Sequence, residues 1–210
     1  MENVVKNGPE IKETKVVYDG YFKVKEHTIV DGDVEYTREV FDRGNAVAGI
    51  VYDTVKEKYL FVQQYRPGAE GVMIEIVAGS LDIEGEKPEE ALKREIIEEM
   101  GYKVDLINHL KDFYVSPGGC SEVCSLFYVE VSEKVAEGGG IDNENIGVVE
   151  VDYLGATGTL FWEMNDETGE FIPPYQLIDA KSIVGVSIVE NNRIVSDMAN
   201  VLTQARMRTM

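Results

Sequence analysis

The pattern of apolar and polar positions along the chain predicts mainly β-strands. From Lys15 to Val40 β-branched and aromatic residues are frequent, and Asp31-Gly32-Asp33 has the composition of a tight turn. Two extended runs joined by this turn predict an antiparallel N-terminal sheet. Residues 46–52 and 59–64 predict two further adjoining strands, separated by the polar turn Lys56-Glu57-Lys58.

One helix is predicted over residues 88–100. Pro88 suits the first helical turn, where the backbone N–H has no partner in any case, and Gly101 suits the residue that ends a helix. Apolar residues recur along one side of it: Leu92, Ile96 and Met100. We therefore expect this side of the helix to pack on the core.

The second half of the chain predicts further strands and two short helices. Strands are expected at residues 106–113, 123–131 and 148–153, with the loop Gly138-Gly139-Gly140 before the last of them. The two helices are expected at the end of the chain, over residues 179–189, ending near Asn191-Asn192, and over residues 196–207.

Composition and charge narrow the classes of protein. The 210 residues are 44% hydrophobic, which is enough for one domain with a smaller appended element. The net charge of −19 argues against a nucleic-acid surface, because phosphate backbones are bound by Lys and Arg. No apolar run is long enough to cross a membrane and the N-terminus does not resemble a secretory signal, so we expect a cytoplasmic protein without membrane partners.

Three carboxylates share one face of the predicted helix. Glu95, Glu98 and Glu99 stand at positions i, i+3 and i+4, next to the apolar stripe. Like charges at this spacing repel each other, whereas a divalent cation turns the repulsion into coordination. Magnesium fits best, because it takes oxygen ligands and bridges carboxylates to phosphates. A solvated acidic face is the alternative interpretation of this pattern alone.

The sequence around this helix resembles the signature of the Nudix family, GX5EX7REUXEEXGU, where U is a bulky aliphatic or similar residue. The residues that carry the resemblance are Gly79, Glu86 and the run Arg94-Glu95-Ile96-Ile97-Glu98-Glu99-Met100-Gly101-Tyr102. One departure is present: six residues, 80–85, separate Gly79 from Glu86, where the signature has five. We therefore expect any difference from the family in the loop rather than in the helix.

Five other segments are similar to the GDP-mannose pyrophosphatases and ADP-ribose pyrophosphatases of that family: residues 38–45, 63–66, 75–79, 116–122 and 138–146. The resemblance implies an α/β fold, namely the Nudix α/β/α sandwich with a mixed sheet, preceded by a small N-terminal antiparallel β element. The implied divisions are a dimerising β element over 1–43, the Nudix domain over 44–190 and a C-terminal tail over 191–210.

The resemblance also implies which residues bind the metal and act in catalysis. The implied metal ligands are Ala78, through its carbonyl, and the side chains of Glu95, Glu98, Glu99 and Glu144. The implied ion is Mg²⁺, with Mn²⁺ as the alternative. Three residues are candidates for the base that activates water: Glu144, Asp142 and Glu98.

Substrate contacts are implied at five positions. Arg38 and Arg66 match arginines that contact the pyrophosphate, which supplies local cations in an acidic protein. Tyr21 and Arg43 match residues that hold the nucleobase, and Glu122 matches a residue that lines the same site. Each residue type taken alone is more common in packing or on the surface, so the combination carries the inference.

The implied reaction is hydrolysis of a nucleoside diphosphate sugar at its pyrophosphate by a homodimer, in particular GDP-mannose to GMP and mannose 1-phosphate. Hydrolysis of ADP-ribose is the alternative within the same class. A non-catalytic sensor that binds a nucleotide sugar is the alternative of another class. The intact set of Glu95, Glu98 and Glu99 argues against a sensor, which has no need of it.

Overall fold

The computed structural model describes residues 8–141, 144–154, 159–161 and 175–208. The chain divides into two compact units, of which the first comprises Met1–Asn45 with Tyr114–Val123, and the second Ala46–Phe113 with Cys124–Met210. This division reflects contacts between residues. The domain limits inferred from the sequence, 1–43, 44–190 and 191–210, stay a prediction.

The first unit is built on a three-stranded antiparallel sheet with the order β1-β2-β3. Its strands are β1 (Glu10–Asp19), β2 (Lys23–Asp31) and β3 (Val34–Asp42). Gly32 has a φ of +60° in the turn between β2 and β3, a conformation that glycine adopts without strain. The predicted small N-terminal antiparallel element is confirmed, with one strand more than the two extended runs predicted.

The segment Tyr114–Val123 is joined to the end of β3 by backbone hydrogen bonds. Phe41 N–H donates to the Gly119 carbonyl at 2.8 Å, and Ser121 N–H donates to the Phe41 carbonyl at 3.1 Å. The Ser121 hydroxyl also donates to Asp42 at 2.9 Å. The Ser-Pro-Gly-Gly loop is therefore held on this sheet by main-chain atoms.

The second unit contains a mixed seven-stranded sheet. Its strands are β4 (Ala46–Asp53), β5 (Lys58–Arg66), β6 (Gly71–Glu75), β7 (Val77–Ser80), β8 (Tyr102–Tyr114), β9 (Val123–Lys134) and β10 (Gly147–Val151). The order is β10-β5-β4-β9-β8, with β6 on β5 and β7 on β4. Strands β4 and β9 are parallel, whereas β4 pairs antiparallel with β5 and β7.

Helices cover the two faces of this sheet. Side chains alternate along β4, so that Gly49 and Ile50 point to opposite faces. A Cβ on Gly49 would lie 3.0 Å from Leu92 of helix α1 (Pro88–Glu95). On the other face, Ile50 lies against Gly185 of helix α2 (Ala180–Arg208), where a Cβ would lie 2.8 Å from the Ile50 Cδ1. The predicted α/β/α arrangement with a mixed sheet is confirmed.

The core lies between α1 and the sheet. The apolar stripe predicted for the first helix is fully buried there, with Leu92, Ile96 and Met100 all at 0% exposure. They pack with Val47, Val51, Leu60, Val62, Val77, Phe127 and Val129. Each such side chain contributes about 1.5–3 kcal/mol of hydrophobic stabilisation, which fixes α1 on the sheet.

The C-terminal helices were predicted wrongly as two. Helix α2 runs without a break from Ala180 to Arg208, through Asn191-Asn192. Asparagine is a weak helix former but not a breaker, and residues 190–208 contain neither Gly nor Pro.

Three short strands form a further small sheet: β11 (Tyr153–Leu154), β12 (Thr159–Phe161) and β13 (Tyr175–Gln176). Within the described part of the chain, no helix combines the length and apolar composition needed to span a membrane.

Candidate active site

Helix α1 continues into a wider turn that carries two of its acids. Residues Ile96–Met100 form one π-helical turn, which ends at Gly101 with a φ of +80°. The Gly101 N–H is shared between the carbonyls of Ile96, at 3.0 Å, and Ile97, at 3.1 Å. The predicted helix limits at Pro88 and Gly101 are confirmed, but the π turn was not foreseen. Such turns widen a helix locally and occur often at functional sites.

Arg94 holds three carboxylates of the candidate site in place. Its Nε and Nη2 donate to the two oxygens of Glu86, each at 3.2 Å. Its Nη1 donates to Glu95 at 2.7 Å and to Glu98 at 3.3 Å. Bidentate pairs of this kind fix both partners in orientation. Although the loop before Glu86 is one residue longer than in the signature, Glu86 still contacts Arg94 of the helix.

The glycine of the signature is required by a close approach between β7 and α1. A Cβ on Gly79 would lie 2.1 Å from the Glu95 carboxyl carbon and 2.2 Å from its Oε1. A side chain at this position would fit only if the Glu95 carboxylate moved away. Ala78 directly precedes Gly79 on β7, so its backbone lies next to the residue that contacts Glu95.

Glu99 is a buried carboxylate without a sufficient counter-charge. It is 4% exposed, and its Oε2 has no hydrogen-bond partner among the described residues. Burial is the main cause of a pKa of about 8 for Glu99; the negative charges of Glu95 and Glu144 contribute to this rise, and Arg66 opposes it. Burial likewise raises the pKa of Glu95. The position therefore favours a bound cation.

Glu144 belongs to a loop that is attached to the end of the π turn. Gly139 N–H donates to the Glu99 carbonyl at 2.8 Å, and Gly140 N–H donates to the Glu98 carbonyl at 2.9 Å. Gly140 has a φ of +86° and is close enough to Glu144 that a Cβ would lie 2.6 Å from the Glu144 Cβ. The loop thus brings Glu144 towards the helix acids, while Asp142 lies outside the described residues.

The site's donor set fits a magnesium ion that keeps part of its water shell. Among the described residues, no three His, Cys, Asp or Glu side chains are close enough to enclose a metal by themselves. Mg²⁺ is usually held by one or two carboxylates, with waters and substrate phosphates completing its shell. Glu95 and Glu99 supply such a pair, and the unpartnered Glu99 Oε2 is an oxygen that a cation would satisfy.

A cleft of about 590 Å³ opens beside Arg66 and Glu144. Its walls come from the end of β5, from β6 and from the Gly-rich loop: Gln63, Gln64, Tyr65, Arg66, Val72, Glu144, Asn145 and Gly147. Arg66 Nε donates to Glu75 at 2.5 Å. The cleft therefore presents a guanidinium and a carboxylate together, as binding of a phosphate with a metal ion requires.

The first unit gathers three of the residues predicted to hold a nucleobase. Arg43 Nε lies 3.4 Å from a Glu122 oxygen, and the Arg43 guanidinium lies 5.5 Å from the centre of the Phe22 ring. Phe22 contacts Tyr21 edge to face, with ring centres 4.8 Å apart, and Tyr21 is 95% exposed. Arg38, on β3, instead stacks over Tyr36, at 4.6 Å from the ring centre.

Two neighbours of these residues were missed from the sequence. The ring of Phe22 lies between Tyr21 and Arg43. The sequence feature that could have identified it is its place directly after Tyr21. Glu75 is the partner of Arg66, and it is 2% exposed. The sequence feature that could have identified Glu75 is a single charge inside the apolar run from Val72 to Val77, because burying an unpaired carboxylate there would cost free energy.

The chain is similar in sequence to known proteins of one family. A profile of the NUDIX domain matches residues 42–175. The GDP-mannose pyrophosphatase of Cronobacter sakazakii is 34% identical over 157 residues, which are 69% of this chain and 81% of that protein. The GDP-mannose pyrophosphatase of Salmonella paratyphi B is 35% identical over 152 residues, 66% of this chain and 78% of that protein.

A solved structure described as an ADP compounds hydrolase has the same fold. It superposes with a TM-score of 0.60 at 21% identity, over 69% of this chain and 78% of that one. This likeness concerns the fold. The family profile and the relatives together confirm the predicted resemblance, and the chain belongs to the Nudix hydrolase family.

Proposed function

We propose that the protein hydrolyses the pyrophosphate bond of a nucleoside diphosphate sugar with the help of Mg²⁺, and that GDP-mannose is its substrate, giving GMP and mannose 1-phosphate. One observation carries the proposal: the buried Glu99 carboxylate, whose Oε2 has no hydrogen-bond partner among the described residues, interacts electrostatically with Glu144 and Arg66, which line a cleft. The names of the curated relatives support the choice of substrate.

The chain's own residues have distinct parts in the proposed reaction. Arg66, on the cleft wall, binds a phosphate oxygen through its terminal N–H groups. Glu95 and Glu99, with the Ala78 carbonyl, hold the ion, and Glu98 supports them through Arg94. A bound Mg²⁺ supplies charge neutralisation and a lowered pKa for an attacking water.

Among the candidate bases, Glu144 has the best position in the proposed mechanism. It lines the cleft and contributes to the field at Glu99. Glu98 instead accepts a hydrogen bond from Arg94 at 3.3 Å, so its carboxylate is directed towards the guanidinium. Glu144 would accept the proton of the attacking water, and Asp142, which shares its loop, is the other candidate.

The preference for guanine rests on Glu122 and its neighbours. Guanine offers two adjacent donors on one edge, its N1–H and its amino group, and a carboxylate accepts both. Glu122 is 6% exposed and lies beside Arg43, in the same unit as the exposed Tyr21 ring. Adenine lacks this pair of donors, so the carboxylate favours GDP-mannose over ADP-ribose.

A homodimer is part of the same proposal. All ten residues of β1 are exposed in the single chain. They include four large apolar side chains with exposures from 50% to 62%: Ile11, Val16, Val17 and Tyr18. Such a concentration of exposed apolar side chains is typical of a surface that another protein covers, and a second copy of this chain is the proposed occupant.

The test is a hydrolysis assay of the purified protein with GDP-mannose and with ADP-ribose. Each is measured with Mg²⁺, with Mn²⁺ and with a chelator, and the products are separated by ion-exchange chromatography. We expect GDP-mannose to give GMP and mannose 1-phosphate only with a divalent ion. ADP-ribose should give AMP and ribose 5-phosphate more slowly. Tight binding of GDP-mannose without turnover would support a sensor instead.

A further inference from the structure

Glu75 is a buried carboxylate that binds the arginine of the cleft. It ends β6 and is 2% exposed. Its Oε1 accepts a hydrogen bond from Arg66 Nε at 2.5 Å, and its Oε2 lies 3.9 Å from Lys181 Nζ. Burying a carboxylate costs several kcal/mol unless it is paired, so its presence needs a compensating interaction. Arg66 and Lys181 supply that interaction.

The bond from Glu75 leaves the phosphate-binding end of Arg66 available. A guanidinium has five N–H donors in one plane, and Glu75 takes the one on Nε, near the base of the group. Arg66 lines the cleft and is 37% exposed. Since the guanidinium is planar, a bond at Nε restricts the direction in which its two terminal nitrogens point.

Glu75 is itself held by helix α2. The next residue, Ile76, donates its N–H to the Ser182 hydroxyl at 2.9 Å, and Ser182 is fully buried in the first turn of α2. Asp179 accepts a hydrogen bond from the Ser182 N–H at 3.0 Å, which caps this helix. The backbone at Glu75 is therefore fixed by α2. Its carboxylate, bonded to Arg66 Nε, in turn restricts the position of the Arg66 guanidinium.

We propose that Glu75 is a positioning residue, which aims Arg66 at a phosphate group of the substrate through its bond to Nε. This inference rests on the proposed function, in which Arg66 binds the pyrophosphate. Glu75 touches no substrate atom in this arrangement. Its removal would let Arg66 rotate away from the cleft, so substrate binding weakens although every metal ligand remains.

The experiment is a double-mutant cycle on the full chain with Glu75→Ala, Arg66→Ala and both together. KM and kcat for GDP-mannose are measured, and the affinity for inorganic pyrophosphate is measured by calorimetry. We expect Glu75→Ala to lower kcat/KM about tenfold, mainly through KM, because a hydrogen bond to a charged group is lost. In the Arg66→Ala background the same change should have an effect below about twofold.

Two variants separate positioning from a general loss of stability. Glu75→Gln keeps an acceptor for the Arg66 Nε and should recover most of the affinity for pyrophosphate. Glu190→Gln is the matched control, because Glu190 is also buried, at 3% side-chain exposure, and pairs with Arg193 at 2.8 Å away from the cleft residues. It should lower the melting temperature without a change in KM.

The outcomes are distinct. Additive effects in the cycle, or equal losses from Glu75→Gln and Glu75→Ala, would overturn the positioning role while leaving the proposed reaction intact. A wild-type protein that hydrolyses no nucleoside diphosphate sugar would overturn the proposed reaction. In that case the pyrophosphate affinities alone decide the role of Glu75, and a wild type that binds no pyrophosphate would overturn it too.

Discussion

The guanidinium of Arg94 binds the carboxylate of Glu86 through two contacts of 3.2 Å, across a loop one residue longer than the family signature. The extra residue is accommodated between the end of β7 at Ser80 and Glu86, where Gly85 has a φ of +80°. Because the same guanidinium also binds Glu95 and Glu98, the loop and the acidic face share one anchor.

Arg94→Lys should reduce turnover without removing a charge. Lysine cannot make the paired contacts to Glu86 while also binding Glu95, so the acids lose their orientation. We expect kcat to fall by about ten- to a hundredfold, as for other residues that orient metal ligands. Lys93→Ala is the control, because Lys93 lies on the same helix and pairs only with Glu90 among the described residues, at 2.9 Å. Equal activity of the two variants would contradict the anchor role.

Glu99→Gln should abolish metal-dependent turnover and leave the metal-free fold intact. The variant keeps the shape of the side chain but removes a buried carboxylate whose pKa is raised to about 8. The free energy of unfolding without Mg²⁺ should therefore rise, by roughly 1–3 kcal/mol at neutral pH. For the wild type, saturating Mg²⁺ should raise the melting temperature, because the ion binds only the folded state. Thermal unfolding with and without Mg²⁺ measures both effects. A variant that Mg²⁺ still stabilises fully, or that turns over normally, would refute the ligand role.

Gly79→Ala should displace Glu95. The new Cβ would lie 2.1 Å from the Glu95 carboxyl carbon, so β7 and α1 must separate or Glu95 must rotate away. We expect destabilisation of about 1–3 kcal/mol in urea unfolding, with a loss of activity. Gly68→Ala is the control, since a Cβ there meets nothing within 4 Å. Similar stabilities for both variants would show that the close approach is not needed.

Glu122→Gln should weaken the preference for a guanine nucleotide. The amide has one acceptor oxygen in place of two, so it accepts from only one of the two guanine donors. The ratio of kcat/KM for GDP-mannose to that for ADP-ribose should fall by about tenfold or more. Glu35→Gln is the control and should leave the ratio unchanged, because Glu35 belongs to the same unit and pairs with Lys12 at 2.7 Å. An unchanged ratio in Glu122→Gln would exclude the proposed base contact.

The sequence predicted those parts of the fold and site that depend on neighbouring residues. The limits Pro88 and Gly101 and the shared face of the helix acids follow from helical spacing. The placement of Glu75 does not, because Ser182 and Lys181, which hold its backbone and contact its second oxygen, lie more than a hundred positions away in the chain. Strands β6 and β7 were missed for a similar reason: they are short and are stabilised by pairing with β5 and β4.

The attachment of the Gly-rich loop to the π turn has a consequence for how substrate range changes between related enzymes. Gly139 and Gly140 use main-chain N–H groups, and Glu98 and Glu99 receive them through main-chain carbonyls. Side-chain replacements elsewhere in the loop therefore leave this attachment in place. A replacement of Asn145, on the cleft wall, would change the surface that meets a substrate and leave helix α1 and its π turn as they are.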